Sequence, residues 1–285
     1  MIKILPHWFR QEIISETAFS RLKEIKVNTV CQSAHCPNFS ACLDKNRLTV
    51  IILGDICTRS CAFCAVKKSA SGLLPLDIEE PFKVAQEIKN LGLKYVVITS
   101  VTRDDLADGG AEIFSRTVES VKELCAGIIV EVLIPDFKGS IPALEKVVSS
   151  RPAVIGHNIE TIRRLYPAVR PQANYDISLK LLASVKKIHS CVLTKSSIML
   201  GMGEAQDEVF AAMEDLRAVD CDILTLGQYL APSENHYQAK DYITPQAFDF
   251  LREKAVSFGF KACLSGPLVR SSYQAKEIYD ELICA

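Results

Sequence analysis

This chain of 285 residues predicts an α/β fold: a partial (βα)6 TIM-type parallel barrel with N- and C-terminal extensions. Three observations carry that prediction. Apolar, β-branched runs alternate six times with amphipathic stretches of helical period, which is the pattern of βα units around a parallel sheet. Six units with right-handed crossovers fall short of a closed eight-stranded barrel, so the sheet should stay open. Finally, 48% apolar content over this length can bury one substantial core, with no low-complexity linker and no internal repeat to divide it.

The first strand is expected over 48–53 (LTVIIL), a continuous apolar run of the kind buried on both faces of a parallel sheet. Further strands follow at 95–99, 128–133, 153–157, 196–200 and 223–226, each short, apolar and rich in branched residues. Helices are expected between them, over 81–91, 111–125, 141–149, 176–189 and 205–219, with another over 245–258 after the last strand. On this reading residues 1–47 are an N-terminal extension and 48–260 the barrel. Residues 261–285 form a C-terminal segment closing over it, the two extensions covering its open top and sides.

Charge and hydropathy exclude several classes of function. A net charge of −1 and a pI near 6.5 argue against a generic nucleic-acid or membrane-surface binder. The basic pairs Arg163-Arg164 and Lys186-Lys187 read as solvated helix faces. No stretch approaches the ~20 apolar residues that span a bilayer, and residues 1–10 lack the apolar core of a signal peptide. A cytoplasmic protein is expected, in a compartment that keeps thiols reduced.

The cysteines give the chemistry. Six of the eleven fall between residues 31 and 64 in two triplets: Cys31, Cys36 and Cys42 (C-x4-C-x5-C), then Cys57, Cys61 and Cys64 (C-x3-C-x2-C). Three thiolates on a four-iron cube leave its fourth iron open for another ligand. The second triplet follows the first strand directly, at the strand end where α/β folds carry active sites. A zinc site is the alternative, but structural zinc takes four protein ligands, usually from two short-spaced pairs, and neither triplet pairs that way. A disulfide framework fits less well still, given the length, the odd cysteine count and the absence of a secretory signal.

The second triplet also carries a family resemblance. Residues 57–64 read CTRSCAFC, with the aromatic Phe63 just before the last cysteine. This resembles the radical S-adenosylmethionine (SAM) signature, in which the methionine amino and carboxylate groups chelate the open iron. The preceding C-x4-C-x5-C, together with RSSY at 270–273, resembles the lipoyl synthase family in particular. Further similar segments are ITSVTRDDLADGG at 98–110, EVLIPDFKG at 131–139, HNIET at 157–161 and LGQYLAPS at 226–233. The resemblance covers roughly residues 28 to 275.

It implies two 4Fe-4S clusters and SAM. The 57/61/64 cluster would reduce SAM to release a 5′-deoxyadenosyl radical, and the 31/36/42 cluster would be consumed as sulfur donor. The substrate would be an octanoyl chain on a lysine of a lipoyl carrier domain or H-type carrier protein, thiolated first at C6 and then at C8. A ferredoxin or flavodoxin reductant and an iron–sulfur carrier that rebuilds the spent cluster are the further partners expected, with no nucleic acid and no membrane.

Several polar groups follow the strand ends. Asp108-Gly109-Gly110 reads locally as an Asp-Gly turn in a solvated loop. The resemblance makes Gly109 and Gly110 part of a segment whose backbone meets the methionine amino group. Asn158 and Glu160 are expected cofactor contacts, although Asn158 is equally suited to cap the following helix, and His157 is the weaker candidate. Gly201-Met202-Gly203-Glu204 fits a tight turn as well as a nucleotide loop. His35 is a ligand by residue type, yet a hydrogen-bonding role suits it better beside three thiolates. Cys125, Cys191, Cys221 and Cys263 read as small buried hydrophobes and Cys284 as exposed.

In RSSY, an ordinary polar turn is the local reading. The resemblance assigns one serine as fourth ligand of the 31/36/42 cluster, and family placement favours Ser272 over Ser271, which spacing alone leaves open. Two other functions remain at this point: a different dual-cluster radical enzyme such as a methylthiotransferase, and a non-catalytic iron–sulfur electron carrier. The placement of the first triplet and the RSSY segment weigh against the former. The barrel-sized scaffold weighs against the latter.

Overall fold

Branched apolar runs prefer the extended backbone, and parallel strands buried on both faces need helices to cover them. The computed structural model, which describes residues 5–9, 16–34, 36–69 and 75–284, shows that arrangement. Seven parallel strands follow one another in chain order: β1 (Thr49–Ile52), β2 (Tyr95–Ser100), β3 (Ile129–Leu133), β4 (Val154–Gly156), β5 (Leu193–Leu200), β6 (Ile223–Gln228) and β7 (Ala262–Gly266). The order stays open between β1 and β7. No helix of the described residues is long and apolar enough to cross a membrane.

The six predicted strands are all present, and the sheet adds a seventh. Residues 262–266 (ACLSG) pair with β6 along their whole length, so the sheet passes the expected boundary at 260. Their half-buried, weakly β-forming residues gave no strand signal. Strand β5 starts three residues earlier than expected, taking in Leu193, Thr194 and Lys195, because the two polar ones are buried there. The predicted helices appear as Glu80–Asn90, Ala111–Leu124, Ile141–Ser149, Tyr175–Ile188, Gln206–Ala218 and Pro245–Ser257.

Period-two alternation divides each strand between two surroundings. Val50, Ile52, Val96, Ile98, Val130 and Val132 join the outer helices' core residues, including Phe114, Val118 and Leu144. Tyr95, Val97, Ile129, Val154, Leu193 and Ile223, toward the N-terminal ends of their strands, instead meet Ala275, Ile278, Tyr279 and Leu282. The helix Ala275–Cys284, which sequence reading did not foresee, therefore plugs the barrel at the N-terminal ends of the strands. Glu277 of this helix pairs with Arg47. Between the plug and the opposite mouth lies a buried polar layer. Lys195 Nζ meets Glu131 Oε1 at 2.9 Å and Tyr95 Oη donates to Glu131 Oε2 at 2.6 Å.

The N-terminal extension covers the β1 edge, where Thr29 bridges Val50 and Ile51 N donates to the Asn28 carbonyl. An unpaired edge strand is thereby protected. Short helices over Val30–Ser33 and Phe39–Asp44 carry Cys31 and Cys42, with Cys36 in the stretch between them.

Candidate active site

The loop after β1 begins with two left-handed residues, Leu53 and Gly54. Glu80 holds it by accepting from Leu53 N at 2.7 Å and Gly54 N at 3.3 Å. Residues 57–59 are zipped to the loop after β2: Thr58 N and Oγ1 both donate to the Thr102 carbonyl, and Asp104 N donates to Thr58 Oγ1. Cys57 Sγ accepts from the backbone N–H groups of Arg59 and Thr102. Further along, Ala62 N donates to the Val169 carbonyl and Tyr237 N to that of Ala62. Phe63 packs against the apolar cluster containing Val169 and Leu226.

Arg59 anchors this loop, and sequence reading passed over it. Its guanidinium, 5% exposed, holds both Asp104 and Asp136 in paired hydrogen bonds of 2.6–2.9 Å. Burial disfavours the Arg59 charge, but the two carboxylates outweigh it and raise the pKa. Asp136 is held down at about 2 because the Arg59 hydrogen bonds overcome the cost of burial. An arginine between two cysteines with acidic residues in nearby loops was the available signal.

The second triplet shares its surroundings with Glu160 and Arg170. Burial pushes the Cys64 thiol up to about 11, and negative charge on Cys61, Cys57 or Glu160 pushes it further. Burial also raises Cys61, opposed by the Arg170 guanidinium. Arg170 Nη1 donates to the Asn158 and Ile159 carbonyls and to Tyr166 Oη, whereas its buried Nε has no partner among the described residues. Asn158 Nδ2 donates to Glu160 Oε1 at 3.1 Å. Burial raises the Glu160 pKa against the pull of Arg170.

The glycine segment is built around packing. Asp108 accepts from Gly110 N and Glu112 N, turning the chain into the helix Ala111–Leu124. Gly110 has φ +89°, and a methyl there would fall 2.3 Å from Leu53 Cδ1. Gly201 to Glu204 form a tight turn, with the Glu204 carboxylate accepting from Gly201 N and Met202 N. Of the supposed solvated cations, Lys186 is half-buried, pairing with Asp222 and donating to the Val192 carbonyl. Cys191, expected to be buried, is exposed at a turn, while Cys221 is buried. His35 lies outside the described residues.

His157 is structural here. Its Nδ1 donates to the Ile134 carbonyl at 2.8 Å, leaving Nε2 to accept 2.9 Å from Ser178 Oγ. Burial, helped by Arg170, lowers its pKa to about 4. The unfolded chain then binds more protons than the native one below the ordinary pKa of about 6.5. The contribution is therefore complete above that value and fades as pH falls toward 4, by about 3 kcal/mol in all. The melting temperature of the metal-free chain should drop between pH 6.5 and 4.5, and His157→Gln should flatten the drop.

Cys31, Cys36, Cys42, Thr49 and Ser272 line one cavity of about 220 Å³, which Lys45, Lys94 and Lys276 also border. Burial pushes Cys31 up to about 12 and Cys42 to about 11, and negative charge on Cys36 adds to both. Thr49 Oγ1 donates to Ser272 Oγ at 2.9 Å, and Asn38 Nδ2 donates to the Leu268 carbonyl at 2.6 Å. Gly227 leaves room for this C-terminal segment, since a methyl there would fall 2.0 Å from the Val269 carbonyl oxygen. Ser271 points elsewhere, its Oγ donating to Asn158 Oδ1 at 3.0 Å.

Burial makes the charged forms of Cys31, Cys36, Cys42, Cys61 and Cys64 costly alone, and neighbouring thiolates repel one another, a donor set that a positive metal core compensates. No three His, Cys, Asp or Glu side chains among the described residues gather tightly enough for a lone ion such as zinc. Cysteine thiolates are the ligands by which iron–sulfur clusters are held. The orphaned Arg170 Nε beside Glu160 and Cys61 fits an additional polar ligand at that end.

The model of the Radical SAM superfamily matches residues 51–216. Lipoyl synthase of Caldanaerobacter subterraneus subsp. tengcongensis is 50% identical over 275 residues, 95% of each chain. Lipoyl synthase of Thermus thermophilus is 47% identical over 97% of this chain and 87% of its own length. Among solved structures, methylornithine synthase aligns with a TM-score of 0.55 at 16% identity, covering 84% of this chain and 82% of its own. The FeFe-hydrogenase maturase HydG from Carboxydothermus hydrogenoformans aligns at 0.57 and 14% identity, over 84% of this chain and 66% of its own. At such identities the structures establish the shared partial-barrel fold.

Proposed function

The chain belongs to the lipoyl synthase family of the radical SAM superfamily, and from that premise we propose how its residues divide the work. The enzyme takes part in lipoate biosynthesis with two 4Fe-4S clusters and SAM, and its substrate is a lipoyl carrier. Cys57, Cys61 and Cys64 hold the first cluster; Cys31, Cys36, Cys42 and Ser272 hold the second. When bound, these groups supply a 5′-deoxyadenosyl radical able to take hydrogen from unactivated carbon, and sulfur to replace it, chemistry beyond any side-chain base.

The chain's own part is positioning and exclusion of water. Arg59 fixes the 57–64 loop against Asp104 and Asp136, so its thiolates keep their places. The Gly109-Gly110 backbone, Asn158, Glu160 and Phe63 would bind SAM. The barrel lumen would receive the octanoyl chain, carried on a lysine of a lipoyl domain or H-type protein, and would keep water from its C6 and C8. Residues 1–47 bring the auxiliary thiolates, and the segment after β7 brings Ser272. Ser272 would be the auxiliary cluster's fourth ligand, a hard oxygen donor ill matched to sulfide-bound iron and therefore weakly held. A ferredoxin or flavodoxin supplies electrons, and an iron–sulfur carrier rebuilds the spent cluster, in a cytoplasm that keeps thiols reduced.

The observation that carries this reading is the meeting of Cys31, Cys36, Cys42 and Ser272, some 230 residues apart, around one cavity separate from the second triplet. Ser272→Ala should still assemble iron but give little or no doubly thiolated product. Ser272→Cys should bind the cluster more firmly and also fail to turn over. Wild-type yield from both would remove Ser272 as ligand.

A further inference from the structure

The adjacent serines of the C-terminal segment face different sites. Ser272 Oγ accepts from Thr49 and borders the cavity of the first triplet. Ser271 Oγ donates to Asn158 Oδ1, and the same amide donates through Nδ2 to Glu160, the carboxylate beside Cys61 and Cys64. The orientation of Asn158 is set from both ends. A carboxylate accepts only, so Nδ2 must face Glu160, and Oδ1 is left for the Ser271 hydroxyl. The backbone leading into the two adjacent serines has little slack, since Leu268 is tied to Asn38 and the Val269 carbonyl lies against Gly227.

We infer that Ser271 is a positioning residue that couples the two cofactor sites. It holds Asn158 and Glu160 more firmly in their SAM-binding arrangement while Ser272 is engaged by the auxiliary cluster. This rests on the ligand assignments above. With the cluster present, Ser272 is fixed and its neighbour's hydroxyl is delivered to Asn158. With the cluster spent, the segment is released and the Asn158–Glu160 pair loses its outer support. The depleted enzyme therefore binds SAM more weakly, which limits fruitless radical formation when no sulfur is available. Coupling of this kind is reciprocal, so SAM also steadies the auxiliary cluster.

The test is the dissociation constant of SAM, measured anaerobically by equilibrium dialysis on unreduced protein, where no cleavage occurs. Two-cluster protein is compared with the Cys31→Ala/Cys36→Ala/Cys42→Ala form, each with Ser271 intact, Ser271→Ala or Ser271→Thr. With Ser271, loss of the auxiliary cluster should weaken SAM binding about fivefold or more. In Ser271→Ala the two forms should agree within about twofold, and Ser271→Thr, which keeps the hydroxyl, should restore the difference. Equal affinities with Ser271 intact, or an undiminished ratio in Ser271→Ala, would overturn the coupling. The Mössbauer spectrum of Ser272→Ala separates the two failures. An unchanged auxiliary cluster overturns the ligand assignment and the coupling with it; a changed cluster with the ratio retained in Ser271→Ala overturns the coupling alone.

Discussion

Anaerobically reconstituted Cys57→Ala/Cys61→Ala/Cys64→Ala protein should keep about half the wild-type iron and lose SAM cleavage to background. The retained half follows from the separation of the two sites. The second triplet lies on a loop pinned to the segments after β2, β4 and β6, whereas the first is carried by the N-terminal extension across the β1 edge. Removing one set leaves the other's cavity and its Thr49–Ser272 contact in place. The loss of cleavage should be complete because, on the proposed assignment, Ser272 takes the fourth iron of the other cluster and leaves SAM no open position there. Iron analysis and chromatography of deoxyadenosine check both halves of the expectation. A zinc-filled wild-type protein with no iron-linked absorbance would sink the metal assignment altogether.

The complementary replacement, Cys31→Ala/Cys36→Ala/Cys42→Ala, should leave deoxyadenosine formation measurable and reduce sulfur transfer to background. Cleavage survives because the Arg59 clamp and the Asn158–Glu160 pair do not draw on the first triplet directly. It should be slower at limiting SAM if Ser271 links the sites as inferred. Product is lost because the carrier's octanoyl chain then meets the radical with no sulfur to accept. Loss of both activities, in a folded variant whose other cluster is intact, would mean that the first triplet is not a dedicated sulfur source.

Much of this architecture is written locally. Strands β1 to β4 and β6 are branched apolar runs, and the cysteine spacings are a chemical statement that needs no tertiary structure. What escaped was whatever takes its meaning from a distant partner. Strand β7 is half-buried ACLSG, extended because β6 offers it a complete parallel ladder. The helix Ala275–Cys284 is ordinarily amphipathic, and only the open barrel end shows where its apolar face goes. Arg59 and Arg170 look like loop cations in sequence, yet Arg59 is held by Asp104 and Asp136, 45 and 77 residues away, and Arg170 by the Asn158 and Ile159 carbonyls as well as nearby Tyr166. Lys195 reads as a strand breaker until Glu131 stands opposite it. Ser271 and Ser272 are equivalent in spacing and are told apart by Asn158 and Thr49.

Mass analysis of an octanoylated lipoyl carrier domain, after anaerobic incubation with reconstituted enzyme, reductant and SAM, tests the account most directly. The expected product carries one sulfur at C6 and one at C8, formed in step with deoxyadenosine and with loss of iron from the 31/36/42 site. Deoxyadenosine accumulating beside a carrier that gains no sulfur would contradict it.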